Sequence, residues 1–478
     1  MHVGIAQINV HVGAFEQNAA AIIARIEDAR DRGCDLVVFP ELAIPGYAPM
    51  DLVWRHGFVD AGRRALDRIA AASRGIGVLV GGIASEAQQE GVNRFDLSAV
   101  ADGGGTNLYN VAYLIDDGRL VETIAKLHLP VYDIYAEKRH FEPGPGARVA
   151  AFRGHTIGIN ICEDLWVDDG PTETQANLGA EWVINLSASP FYAGKDEIRR
   201  RMVRRRATEN GVGIVYVNLV GGQDELVFDG GSFVVSSSGE ILFHAPFFAD
   251  GLFVVDLDAP SAAPVPSLDR WEALRRAITL GIRDYVLKNG FQEVLLGLSG
   301  GVDSALVAAL AAEAVLPENV TAVYMPSEFS SAESRVDARE TARRLGIEWI
   351  EISIAEPHDT LRQSLPQRAE GIVDENLQPR LRGLLLMGLA NQRDALVLAP
   401  GNKSEIAVGY NTLYGDTVGA LAPIADLYKD DVYRMAATFS DRIPKRVLQK
   451  APSAELRAGQ RDADDLPPYA ILDPILRG

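Results

Sequence analysis

Residues 293–315, EVLLGLSGGVDSALVAALAAEAV, carry the pattern on which the fold class turns. EVLLGL is apolar enough for a buried strand, Ser299-Gly300-Gly301 makes a turn, and SALVAALAAEAV has the composition of a helix. Two adjacent glycines let the backbone approach a ligand with no Cβ in the way. The helix that follows aims its free N–H groups and positive dipole end at the same place, so phosphate is the natural occupant. The run is neither a Walker loop, which needs a Lys before the Ser, nor a GxGxxG dinucleotide turn. An ordinary helix capped by Ser and Asp after a glycine turn has the same local pattern, so the surrounding sequence must decide.

Upstream lies an amphipathic helix, WEALRRAITLGIRDYVLKN. Downstream come a strand at VTAVYMP, a helix over ESRVDARETARRLG, a strand at IEWIEISI, a helix over RLRGLLLMGLANQ and a strand at ALVLAP. Repeated strand–helix alternation predicts a parallel, doubly wound sheet over 269–478. Before it, DAPSAAPVPSL at 258–268 holds three prolines without periodicity and reads as a linker. Residues 1–257 have a different texture. Short strands such as VGIAQINV, DLVVFPEL, HTIGINI and WVINLSAS alternate with helices, and two hairpins turn at Asp117-Gly118 and Ser238-Gly239. That mixture predicts a sheet sandwich covered by helices.

The 478 residues include 46 basic and 65 acidic side chains, a formal charge of −19, which disfavours nucleic acid or an anionic membrane as partner. Two cysteines, Cys34 and Cys162, cannot make a disulfide framework, and the eight histidines show no zinc spacing. The N-terminus lacks the pattern of a signal peptide, and no apolar run reaches membrane-spanning length. The expectation is a soluble, reduced, cytoplasmic protein.

With those residues on the page, SGGVDS resembles the pyrophosphatase loop of the adenine-nucleotide α-hydrolase ATPases. Within that group, MPSEFSS at 325–331, ENLQPRLRG at 375–383, GNKSEIAVGYNTLYGD at 401–416, APIADLYKDDVY at 422–433 and SAELRAGQRDADDLPPY at 453–469 resemble the NAD synthetase domain. The resemblance implies a Rossmann-like α/β ATP-pyrophosphatase domain that adenylates a carboxylate with ATP and Mg²⁺. It implies ATP contacts from Leu298, Ser299, Gly300, Gly301, Val302, Asp303, Ser304 and Lys403. Asp303 and Glu405 would hold Mg²⁺, and Arg380, Glu405, Asp416 and Lys429 would lie near deamido-NAD⁺. The sequence departs from the family at Pro400, where Thr is usual, and at Pro379, where Ala is usual, and it ends at Gly478 before the further helices of most relatives.

Cys162 follows the strand TIGINI. Alternation predicts Ile157, Ile159 and Ile161 on one face, with Gly158, Asn160 and Cys162 on the other. Glu163 and Asp164 beside the thiol oppose thiolate formation, so a reactive Cys162 needs a cation and a base from elsewhere. Phe39-Pro40-Glu41-Leu42, Lys126 in KLHLPVYDIYAEKRHFEPG, and Cys162 in NICEDLW resemble, in order and setting, the Glu–Lys–Cys site of the nitrilase-type amidases. The resemblance covers about residues 2–257 and implies an αββα sandwich. In that reading Glu41 is the general base, Cys162 attacks the carboxamide of L-glutamine, Lys126 stabilises the oxyanion, and Glu137 is an accessory carboxylate. Tyr132, Glu163, Ser189 and Lys195 would shape the glutamine pocket. His140 and His155 sit in no recognisable Cys–His setting.

The two resemblances together imply glutamine-driven amidation of deamido-NAD⁺ by a homo-oligomeric enzyme. The alternative class is an amidase whose second half is only a scaffold or binding module. Cys34 reads as an inert buried thiol. The arginines between Arg199 and Arg206 read as a solvated helix face or subunit contact, and Tyr47 and Trp54 as core or interface packing.

Overall fold

Alternating apolar residues in the first half build two six-stranded sheets that face each other. In the computed structural model, which describes residues 1–85, 107–259, 264–367 and 369–478, the chain divides into two units, Met1–Leu268 and Asp269–Gly478. Of the expected linker at 258–268, residues 260–263 lie outside the described residues.

In the first unit, one sheet has the order Gly251–Asp256, His2–Gln7, Leu36–Val38, Gly77–Ser85, Leu108–Asp116, Arg119–Ala125. The other runs Ile241–His244, Phe233–Val235, Gly213–Asn218, Trp182–Ser187, His155–Ile161, Val149–Phe152. Each sheet has three parallel strands at its centre and antiparallel strands outside them. Period-two alternation sends Val3, Ile5 and Leu79 from one sheet, and Ile157, Ile184 and Val215 from the other, into a shared layer. Ile22, Ile26 and Ile69 of the helices Phe15–Asp31 and Phe58–Ala72 pack on the outer face of the first sheet. Val203 and Ala207 of Lys195–Asn210 cover the second. The result is the expected αββα order. Both hairpins form where expected, the first because Asp117 and Gly118 adopt φ of +48° and +82°, as a two-residue turn requires.

The second unit has one parallel sheet in the order Glu348–Glu351, Val320–Tyr324, Glu293–Gly297, Ala395–Val397. Chain order reverses at Glu293–Gly297, so its carboxyl end opens into a crevice at the topological switch point. The helix Val302–Val315 leaves from there with twelve of its fourteen residues buried. Small alanines at 305, 308, 309, 311 and 312 let it lie deep in one face of the sheet. Helix Ile372–Arg393 starts well before the predicted segment and runs through Pro379. A helix-interior proline forfeits one backbone hydrogen bond, and this one is buried beneath the 412–416 loop, where a Cβ on Gly415 would come within 2.8 Å of Pro379 Cβ.

Candidate active sites

In the first unit the strand Leu36–Val38 ends immediately before Phe39-Pro40-Glu41, and Glu41 is fully buried. Its position depends on Gly81 of the neighbouring strand. A Cβ there would lie 2.3 Å from Leu42 N, 2.5 Å from Pro40 O and 2.7 Å from Glu41 C, so only glycine lets the two backbones approach this closely. Glu41 Oε1 accepts from Lys126 Nζ at 2.7 Å and from Asn110 Nδ2 at 2.8 Å, and Oε2 accepts from Ala188 N at 3.0 Å. Lys126, also fully buried, donates at 2.8 Å to both oxygens of Glu137. Tyr47 OH completes the cluster at 3.3 Å from Glu137 Oε1.

Two carboxylates thus surround one ammonium. Burial pushes the Glu137 carboxyl up to about 7 and Glu41 adds to the rise, against the pull of Lys126. Lys126 stands well above its ordinary value, because the charges of Glu137 and Glu41 outweigh its own burial. Burial, reinforced by Glu41, raises the Cys162 thiol well above its ordinary value despite Lys126. Such a site favours the neutral thiol over the thiolate.

Cys162 departs from the strand alternation expected for it. The strand ends at Ile161, Cys162 opens a short 3-10 turn with φ +43°, and its side chain joins the inter-sheet cluster that holds Ile157, Ile159 and Ile161. Asn160 does point the other way, to Gln175 and Asn185. Period two stops applying where the backbone leaves extended geometry. Asp164 pins that turn. Its Oδ2 accepts from Ile161 N at 3.0 Å, and its Oδ1 accepts from Leu127 N at 3.1 Å and His128 N at 2.8 Å. One carboxylate thereby ties the residue before Cys162 to the residues after Lys126.

Around the thiol, Tyr132 OH donates to Glu163 Oε2 at 2.8 Å, and Lys195 Nζ stands over the Trp166 and Tyr192 rings. Ser189 is held at both backbone ends by Asn218. The arginine helix corrects the solvated-face expectation in part. Arg199 is completely buried, paired with Asp229 at 3.1 Å and donating to Ser189 O at 3.3 Å. Arg206 is buried and bonded to the carbonyls of Leu165 and Trp166. Arg201 and Arg205 are exposed in i,i+4 pairs, as expected. Tyr47 is buried at the cluster, Trp54 is exposed beside the His140 ring, and burial raises the Cys34 thiol to about 11.

In the second unit a cavity of about 580 Å³ opens at the carboxyl end of Glu293–Gly297. Ser299 and Ser304 hydroxyls lie 3.1 Å apart, Gly301 N donates to Ser299 Oγ at 3.2 Å, and Ser304 Oγ donates to Gly301 O. Gly300 has φ +85°, and a Cβ on it would meet Ser334 O at 2.5 Å, so the loop needs glycine there. Asp303 and Glu405 converge on Lys429 Nζ, at 2.6 and 2.9 Å. Burial and the Asp303 charge push Glu405 up to about 7, against Lys429. Asn402 caps the helix Lys403–Val408 and donates to Asp303 Oδ1 at 2.9 Å.

Leu298, Val302, Asp416 and Pro400 also line the cavity. Three expected residues do not: Gly300 turns toward Ser334 within the loop, and two side chains face elsewhere. Lys403 turns its ammonium over the Tyr428 ring, and Arg380 is exposed and donates to Leu413 O at 3.1 Å. Both sit on helices whose other face meets the cavity, and spacing alone could not assign the face. Asn110, the Ala188 N–H, Asp164 and Arg199 were not singled out from sequence as site residues, because each acts through a partner far away in the chain.

The fold and the two sites define a carbon–nitrogen hydrolase joined to an ATP-dependent synthase. Residues 2–267 match the carbon-nitrogen hydrolase family model and residues 274–477 match that of NAD synthase. The chain is 40% identical to the glutamine-dependent NAD(+) synthetase of Thermotoga maritima, over all of this chain and 88% of the relative. It is 42% identical to that of Xylella fastidiosa strain 9a5c, over all of this chain and 87% of the relative. The solved glutamine-dependent NAD⁺ synthetase of Acinetobacter baumannii, in complex with ADP, superimposes with a TM-score of 0.86 at 34% identity, covering 100% of this chain and 92% of that one. The chain belongs to the family of glutamine-dependent NAD⁺ synthetases.

Proposed function

We propose that the first unit releases ammonia from glutamine and the second uses it to amidate deamido-NAD⁺ with ATP. The observation that carries this reading is the buried Glu41–Lys126–Glu137 cluster, together with a buried Cys162 whose thiol feels the charges of all three. Glu41 takes the thiol proton as sulfur attacks the carboxamide carbon, and Lys126 donates to the oxyanion that forms. The departing amine takes the proton back and leaves as ammonia, and water activated by Glu41 hydrolyses the thioester. Glu137 keeps Lys126 from being held by Glu41 alone. Tyr132, Glu163, Ser189 and Lys195 bind glutamine around the thiol.

In the cavity, Ser299, Gly301 and Ser304 receive the phosphates of ATP, and Asp416 faces deamido-NAD⁺. The nicotinate carboxylate attacks the α-phosphorus, pyrophosphate leaves, and ammonia then displaces AMP. Mg²⁺ fits the residues present, since two carboxylates, Asp303 and Glu405, already converge on one cationic centre. When bound, it would offset phosphate charge as pyrophosphate leaves. Lys429 supplies a second positive charge at the same place.

Ammonium is not a nucleophile, so ammonia travels in a sheltered passage completed by neighbouring subunits. Exposed Leu384, Leu413 and Tyr414 support association of copies through the second unit. No helix among the described residues is long and apolar enough to cross a membrane. A free nucleophilic thiol fits the reducing cytoplasm. Turnover with amide-¹⁵N glutamine in excess unlabelled ammonium tests the reading. NAD⁺ should carry ¹⁵N in its amide, and product labelled only in proportion to the mixed pool would rule out the passage.

A further inference from the structure

Among the described residues, Arg382 is the one cavity-lining arginine that the family resemblance leaves without a role and the structure leaves without a carboxylate. It lies two residues from Arg380 on helix Ile372–Arg393, about 200° around the axis, and so faces the cavity while Arg380 faces away. Its Nε donates to Met325 O at 2.9 Å. Its two Nη groups have no hydrogen-bond partner among the described residues. Four other arginines of this unit are paired: Arg362 with Asp374, Arg393 with Glu348, Arg446 with Asp337 and, in the cavity lining, Arg457 with Glu375. The cavity carboxylate that most affects Arg382, Glu455, is already held by Lys450, Ser331 and Ser334. Burial lowers the Arg382 guanidinium to about 10, against the pull of Tyr324 and Glu455.

Arg382 and Met325 line the same cavity as Ser299, Gly301 and Ser304 of the glycine loop. Gly297 pairs with Val323 in the parallel ladder, so Ser299 and Met325 both lie two residues beyond the same rung. Neighbouring strands are about 4.8 Å apart. The carbonyl that orients Arg382 therefore stands next to the start of the loop that opens at Ser299.

We infer that Arg382 is a further substrate-binding residue of the synthetase half, one that donates its free Nη groups to a phosphate of the nucleotide held by the 299–304 loop. The inference rests on the cavity being the ATP site. A guanidinium fork matches two phosphate oxygens, whereas an ammonium in its place offers a single point of charge.

The test is calorimetric binding of ATP, inorganic pyrophosphate and adenosine to the full-length wild type, Arg382→Gln and Arg382→Lys, each checked by its thermal unfolding curve. Loss of a charge-assisted bond should weaken ATP and pyrophosphate by roughly tenfold or more in Arg382→Gln. Adenosine should bind as before, and Arg382→Lys should recover part of the loss. Equal weakening of all three ligands would assign Arg382 to support of the Met325 segment and overturn the inference, as would unchanged binding. A wild type that takes up neither ATP nor pyrophosphate would instead refute the ATP assignment of the cavity.

Discussion

Gly81→Ala is a single methyl placed far in sequence from every expected catalytic residue, yet it should silence glutamine use. The added Cβ would sit 2.3 Å from Leu42 N and 2.7 Å from Glu41 C, whereas ordinary contact begins at 3.4 Å. Backbone atoms cannot rotate aside, so the Glu41 segment must retreat by about 1 Å, a misplacement that costs on the order of 100-fold in a positioned reaction. Strain of this kind costs about 1–3 kcal/mol of stability, within what a folded domain can absorb. The assay is NAD⁺ formation by one preparation, with glutamine in one reaction and ammonium in the other. The glutamine rate should fall roughly 100-fold while the ammonium rate stays near wild type. A folded variant with an unchanged ratio of the two rates would refute the argument that Gly81 sets the position of Glu41.

Other outcomes follow from the same geometry. Glu137 ionises near 7, so glutamine hydrolysis should climb with pH through that region, and Glu137→Gln should flatten this limb while lowering the rate; a pH–rate profile reads both. The Glu137 carboxyl holds its proton more tightly folded than unfolded. Its contribution to stability is therefore lost as pH rises from about 4.5 to about 7, which unfolding of Glu137→Gln against wild type would expose. Asp164→Ala strands the N–H groups of Leu127, His128 and Ile161, at about 1 kcal/mol or more each, so its melting temperature should drop by several degrees and glutamine hydrolysis should be lost. Asp303→Ala should stop synthesis from either nitrogen source while glutamine is still hydrolysed, measured as glutamate release without NAD⁺.

Features that depend on neighbours in sequence are legible in the sequence itself. The glycine loop at 299–301, both hairpins and the alternation of Ile157, Ile159 and Ile161 are set by local backbone preference and period, and each appears where the residues place it. The Glu41–Lys126–Cys162 set was legible through order and setting, and the three residues do come together. What failed was the facing of side chains at element ends. Cys162 leaves the strand with a left-handed backbone, and Arg380 and Lys403 turn away from the cavity by a fraction of a helical turn. Long-range partners left no local trace at all. Asp164 acts on residues 36 and 37 positions upstream, and Arg199 is buried only because Asp229 lies 30 residues further on. Pro379, just before the helix expected over RLRGLLLMGLANQ, lies inside a longer one, packed against the 412–416 loop.

The account stands or falls on whether ammonia made at Cys162 is what the second unit consumes. The direct measurement is NAD⁺ formation from deamido-NAD⁺ and MgATP by wild type and Cys162→Ala, with glutamine or ammonium as the nitrogen source. Wild type should make NAD⁺ from both, and Cys162→Ala from ammonium alone. Glutamine-driven synthesis by Cys162→Ala, or a wild type that hydrolyses glutamine but makes no NAD⁺ from either source, would contradict it.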